Sequence, residues 1–170
     1  MNLREAILQE HSKKQTDKII RFVGTSQVKF DKLVELFLKG EYRVTQRAGW
    51  PLSYIVIAHP SLIKNHLRKL ISNLEKPDLH NAVIRNTFRL LQFVEIPLTL
   101  QGKTIDVCYR YFNDRKQPVA IRCFSMTVLA NLCQKHPAMK QELKISLEDN
   151  LPYGTAGFKV RAKRTLKEIS

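Results

Sequence analysis

The chain has 170 residues, enough for one compact domain with a hydrophobic core. Apolar residues make up 44% of the chain, which excludes the composition of an intrinsically disordered protein. The formal net charge of +14 predicts attraction to polyanions or acidic surfaces, and the basic residues are distributed along the whole chain rather than gathered in one tail.

The apolar residues recur with helical spacing along the chain, and no stretch alternates with the period of a strand, so no sheet is predicted. Residues 3–23 predict one or two N-terminal cap helices. Pro60, Pro97 and Pro137 each precede a helical segment, as suits a first helical turn, where a missing N–H loses no hydrogen bond. Pro51 is expected to interrupt one segment and kink it near Trp50. The predicted helix pairs have first helices at 26–39, 60–76, 97–113 and 137–149, and second helices at 41–58, 79–95, 117–134 and 155–169.

An arginine recurs in the second helix of each pair at spacings of 38, 37 and 39 residues. Apolar residues surround it at positions that return to one helix face. The residue just before the arginine is apolar in the last three pairs, and it points to the opposite side. A helix that is apolar on two faces is packed between neighbours, as in a stack of repeats. The repeated arginines are Arg47, Arg85, Arg122 and Arg161.

Two helices in every 37 to 40 residues, with proline opening the first and arginine inside the second, resemble the HEAT repeat over about residues 26–169. The resemblance implies an all-α protein, an α-α superhelix of about four helix pairs plus the cap helices. It also implies an ion pair between Arg47 and an acid such as Glu41.

Segments 124–132 and 156–169 resemble a family of small HEAT-like proteins, some of which carry the name adenylosuccinate lyase. That lyase superfamily is marked by a mobile loop of the type GSSxMPxKxNP, and this chain contains no such segment. Because this loop is absent, we expect no lyase activity, even though some of the similar proteins carry the lyase name.

Stacked helix pairs place equivalent arginines in a stripe on an inner, concave surface, and such a stripe is suited to an acidic partner. The alternatives stay open: structural ion pairs for the repeated arginines, a solvated end face for the C-terminal cluster, and a core position for Trp50. Trp50 is a candidate for aromatic contact with a base or a partner side chain. The candidate binding residues are Arg43, Arg47, Arg85, Arg89, Arg122, Lys159, Arg161, Lys163, Arg164 and Lys167.

The chain contains no HExxH, GxSxG, GxxxxGK[ST] or GxGxxG motif and no Cys/His metal spacing, so we expect no catalysis, metal or cofactor. Its three cysteines predict buried, reduced thiols, and the absence of an apolar signal segment predicts a cytoplasmic protein. We expect a single-domain binding module for nucleic acid or acidic protein. A HEAT-like DNA glycosylase of the alkylation-repair type and a structural subunit of a larger assembly are the alternatives. The oligomeric state is open.

Overall fold

The computed structural model describes residues 1–170, which form ten α-helices, three short 3₁₀ segments and no strand. Their order confirms the predicted all-α, HEAT-like fold class. Residues 3–23, where one or two cap helices are predicted, form two, and each predicted pair has two helical members. The helices are α1 (Leu3–Gln9), α2 (Lys13–Val23), α3 (Gln27–Lys39), α4 (Tyr42–Ala58), α5 (Leu67–Asn73), α6 (Asn81–Leu91), α7 (Leu98–Asn113), α8 (Val119–Lys135), α9 (Lys140–Asn150) and α10 (Ala156–Ile169).

The segment predicted as one helix over 60–76 begins as a 3₁₀ helix, Pro60–His66, and continues as α5. Two side chains of α3 hold this tighter turn in place. The Gln27 amide donates to the Leu62 carbonyl at 3.0 Å, and Nε2 of His66 lies 2.6 Å from Oδ1 of Asp31. The hydrogen bond with His66, followed by the one from Gln27, lowers the pKa of Asp31. These long-range contacts offset the poorer hydrogen-bond geometry of a 3₁₀ helix.

Pro51 does not break the helix, because α4 runs from Tyr42 to Ala58, close to the predicted 41–58, and the kink near Trp50 stays a prediction. Proline removes one main-chain donor from a helix. The carbonyl that loses its donor is that of Arg47, whereas the Ser53 hydroxyl donates to the Trp50 carbonyl at 2.9 Å. Neighbouring helices also pack on α4, so tertiary contacts keep it helical across the proline.

The chain divides into two compact units, Met1–Glu95 and Ile96–Ser170. In the first unit, α4 is the central helix, and it packs against α1, α2, α3 and α6. Its core contains Phe30, Phe37, Leu52 and Ile55, all at most 1% exposed. In the second unit, α8 occupies the corresponding place and packs against α7 and α10. In each unit the first of the two helices that carry a repeated arginine, α4 or α8, is therefore the central one.

The contact between α4 and α6 depends on a glycine. A Cβ added at Gly49 would lie 2.4 Å from Nδ2 of Asn86, and that amide is fixed by donation to the Ala82 carbonyl at 2.8 Å. We expect Gly49→Ala to lower the free energy of unfolding by about 1–3 kcal/mol, as overpacking of a core does.

Gly102 is the matched control. It is exposed in the middle of α7, and an added Cβ meets nothing within 4 Å. Gly102→Ala should raise the free energy of unfolding by about 0.5–1 kcal/mol, because alanine loses less backbone entropy in a helix. Urea denaturation followed by circular dichroism measures both changes. A Gly49→Ala variant as stable as Gly102→Ala would contradict the close packing.

Candidate functional site

The repeated arginines occupy matching places in the helix pairs but differ in exposure. Each lies in the second helix of its pair, on α4, α6, α8 or α10. Arg122 is buried, Arg47 and Arg161 are half-buried, and Arg85 is exposed. The same sequence signal therefore marks residues with different roles.

Two of these arginines bind the C-terminal end of another helix. Nη1 of Arg47 donates to the Leu8 carbonyl in the last turn of α1 at 2.8 Å. Nε of Arg122 donates to the Phe112 carbonyl in the last turn of α7 at 2.8 Å. The last carbonyls of a helix have no partner within the helix and carry partial negative charge, so a guanidinium both satisfies and neutralises them.

Arg122 is 5% exposed and forms the centre of a buried polar network. Its Nη2 donates to Oδ1 of Asn150 at 2.8 Å, and the Asn150 amide donates to the Ser146 carbonyl at 2.9 Å. The guanidinium also lies 4.3 Å from the centre of the Phe158 ring. Burial lowers the pKa of Arg122. Arg122 is one of the expected binding residues, and in the structure its side chain is 5% exposed and bonded to the Phe112 carbonyl and to Asn150.

The acid expected beside Arg47 binds elsewhere. Glu41 pairs with Arg4 of α1, and Arg47 binds main-chain carbonyls instead. Arg161 likewise has no carboxylate partner, since its Nη1 donates to the Thr127 hydroxyl at 2.6 Å. The ion pair that the family resemblance implied for Arg47 is therefore absent, and Arg47 and Arg161 form hydrogen bonds to neutral acceptors.

Arg85 and Arg89 form a basic pair one turn apart on α6. Arg85 is exposed and makes no hydrogen bond or ion pair with the rest of the chain. Arg89 is half-buried, and its guanidinium lies 5.4 Å from the centre of the Tyr54 ring. The Arg85 guanidinium is therefore available to an anion outside the protein, next to a second guanidinium held over an aromatic ring.

Trp50 and Tyr54, half-buried and one turn apart on α4, provide an aromatic pair. His11 packs edge-on against Trp50 with ring centres 5.6 Å apart. The Lys13 ammonium lies 5.4 Å from the centre of the Tyr54 ring, on which Arg89 also packs. A hydrogen bond from Trp50 is the main cause that lowers the pKa of Tyr54, with Arg89 and the charge of Lys13 contributing. The two aromatic side chains and the nearby cations thus form one connected group.

We call this group the aromatic–basic cluster and define it as Lys13, Trp50, Tyr54, Arg85 and Arg89. All five residues belong to the unit Met1–Glu95. Asp17 is the one carboxylate bonded to it, through an ion pair with Lys13. The sequence pointed to Trp50, Arg85 and Arg89. Lys13 and Tyr54 have no spacing signal that links them to α6.

The remaining candidate residues lie outside this cluster. Arg43 is exposed on the first turn of α4 without a hydrogen-bond or ion-pair partner. On α10, Arg164 is paired with Glu168 at 2.8 Å. Lys163 and Lys167 are exposed, Lys159 is half-buried, and none of the three has a side-chain partner. The α10 residues belong to the unit Ile96–Ser170 and form a separate basic surface.

The thiols are poorly suited to nucleophilic chemistry. Cys108, Cys123 and Cys133 are buried and unpaired, as the sequence predicts. Burial raises the pKa of all three and keeps them protonated. No three His, Cys, Asp or Glu side chains lie close enough together to hold a metal ion. None of the ten helices combines the length and apolar character of a bilayer-spanning segment.

Comparison with known families gives one result. The family model described as a HEAT repeat domain matches residues 3–169. No curated protein and no solved structure matches the chain. The match extends across both compact units and includes the two cap helices.

Proposed function

This chain belongs to the HEAT repeat domain family, and from that premise we propose that it is a non-enzymatic binding module whose aromatic–basic cluster holds nucleic acid. HEAT repeats generally act as helical scaffolds that mediate interactions. The fold supplies rigid helices, and the surface side chains select the partner. The net charge of +14 favours an acidic partner.

The observation that carries the proposal is the packing of Arg89 and Lys13 on the Tyr54 ring, beside Trp50 and the unpaired Arg85. Proteins that bind single-stranded nucleic acid combine cations that follow the phosphates with aromatic rings that stack on the bases. Each base stacked on an aromatic side chain is worth about 1–3 kcal/mol. The cluster supplies both kinds of group within one unit of the chain.

An acidic protein is a less suitable partner for this cluster. Its carboxylates pair with Arg85 and Arg89 as well as phosphates do, but a protein must supply separate aromatic side chains to stack on Trp50 or Tyr54. A single nucleic acid strand presents both an anionic backbone and aromatic bases. We therefore propose that the partner is single-stranded nucleic acid. The test below distinguishes it from an acidic protein.

The test is fluorescence anisotropy of a labelled oligothymidylate of about 20 nucleotides. Lys13, Arg85 and Arg89 are the three cations of the cluster. If each contacts a phosphate of a single strand, the logarithm of the binding constant should fall with the logarithm of the salt concentration with a slope of about −2. Unlabelled oligothymidylate should displace the labelled probe at a far lower concentration than poly-glutamate does, when both competitors are expressed as the concentration of negative charges. Equal displacement by poly-glutamate would favour an acidic protein partner, and no binding at low salt would overturn the proposal.

A DNA glycosylase of the alkylation-repair type is the second candidate, because Asp17 brings a carboxylate to the aromatic–basic cluster through Lys13. Such enzymes line a basic groove with aromatic residues and a carboxylate. Release of alkylated bases from DNA by the purified protein, and its loss in Asp17→Asn, would favour the enzyme. No base release by the wild-type protein would remove this candidate.

A further inference from the structure

The last helix, α10, exposes an apolar residue at a position that is buried in earlier repeats. The residue just before the repeated arginine is Ile84 on α6, Ile121 on α8 and Val160 on α10. Ile84 is 4% exposed and Ile121 is 0% exposed, whereas Val160 is 70% exposed. In the second unit, α10 itself packs on α8. Val160 therefore lies on the face of α10 where a further helical layer would pack.

The same face of α10 carries unpaired positive charge. Lys163 and Lys167 lie three and seven residues after Val160, which places them on its side of the helix. Both are exposed and have no side-chain partner. Arg164, four residues after Val160, is paired only with Glu168. The exposed apolar side chain of Val160 is thus bordered by two lysines, Lys163 and Lys167, that are free to bind carboxylates.

We propose that this face of α10 binds an acidic amphipathic helix of a partner protein, which packs as an additional layer. Its apolar side would cover Val160, and its Glu or Asp residues would pair with Lys163 and Lys167. A second copy of the same face does not fit, because it would bring like charges together. This surface is separate from the aromatic–basic cluster, so the inference does not depend on the nucleic-acid proposal.

The role of Val160 separates this partner from nucleic acid at the same place. A phosphate backbone gains affinity from Lys163 and Lys167 but none from an aliphatic side chain. A helix whose apolar stripe covers Val160 gains from both. The dependence of binding on Val160 is therefore the observation that decides between them.

The experiment uses the full chain and a fluorescently labelled helical peptide of about 20 residues, with leucine at every third or fourth position and glutamate at most others. Its control is a scrambled peptide of the same composition that has no apolar stripe. We expect the amphipathic peptide to bind at least tenfold more tightly than the scrambled one. Equal binding of the two peptides, or no binding at low salt, would overturn the proposal.

Three variants complete the test. We expect Val160→Ser to weaken the amphipathic peptide about tenfold, and Lys163→Glu/Lys167→Glu to weaken it more. A control with the same charge change, Arg68→Glu/Lys69→Glu at exposed positions of α5, should bind almost as the wild type does. Thermal unfolding by circular dichroism checks that each variant is folded. If Val160→Ser binds the peptide as tightly as the wild type does, the proposal is overturned, and the peptide binds α10 through charge alone.

Discussion

Replacing Arg122 with alanine is expected to lower the free energy of unfolding by about 3–6 kcal/mol, because two hydrogen bonds to a charged group are lost and each is worth about 1.5–3 kcal/mol. Two charge-assisted hydrogen bonds are lost, to the Phe112 carbonyl and the Asn150 amide oxygen, both at 2.8 Å. The change also leaves these two acceptors buried without that donor and opens a cavity beside Phe158.

Urea denaturation followed by circular dichroism measures this loss. The matched control is Arg85→Ala, which changes the equivalent residue of α6 at an exposed position, and we expect a change within about 0.5 kcal/mol. Arg122→Lys should fall between the wild type and Arg122→Ala, because lysine keeps the charge but lacks the planar fork that reaches both acceptors. Equal stability of Arg122→Ala and Arg85→Ala would contradict a structural role for Arg122.

Reversing the charge of the basic pair on α6 should weaken oligothymidylate binding about a hundredfold, a loss of roughly 1.4 kcal/mol for each residue. The variant is Arg85→Glu/Arg89→Glu. It removes two cations that we propose contact phosphate and replaces them with repulsive carboxylates. Anisotropy titrations at one fixed salt concentration measure the change.

The control for this variant is again Arg68→Glu/Lys69→Glu on α5, which changes the net charge of the chain by the same amount. We expect it to lower the affinity only about twofold to threefold, through weaker long-range attraction. If both double variants lose affinity equally, binding depends on net charge alone and the cluster is not the binding site.

The helix pairs were predictable because each layer of the fold repeats the same packing requirement. The spacing of Arg47, Arg85, Arg122 and Arg161 reports the layer period directly, since each lies on the second helix of its pair. Their partners were not predictable. The Leu8 and Phe112 carbonyls are main-chain groups, and any residue type at those positions provides one.

The aromatic–basic cluster was only partly predictable for a related reason. Trp50 and Arg89 stand out on helices whose periodicity is visible in the sequence. Lys13 belongs to a cap helix outside the repeat pattern, so no spacing indicates that it packs on Tyr54. The 3₁₀ start of the 60–76 segment was missed because it depends on Gln27, 35 residues away from its Leu62 partner.

Trp50 fluorescence is the most direct test of the proposed nucleic-acid function, because Trp50 is the one tryptophan in the chain. We predict that titration with oligothymidylate quenches its emission, and that quenching saturates at the same concentration as the anisotropy signal of the labelled oligonucleotide. Such agreement would place the bases on the aromatic–basic cluster. Saturated binding by anisotropy with unchanged Trp50 emission would contradict the account, because the strand would then be bound away from Trp50.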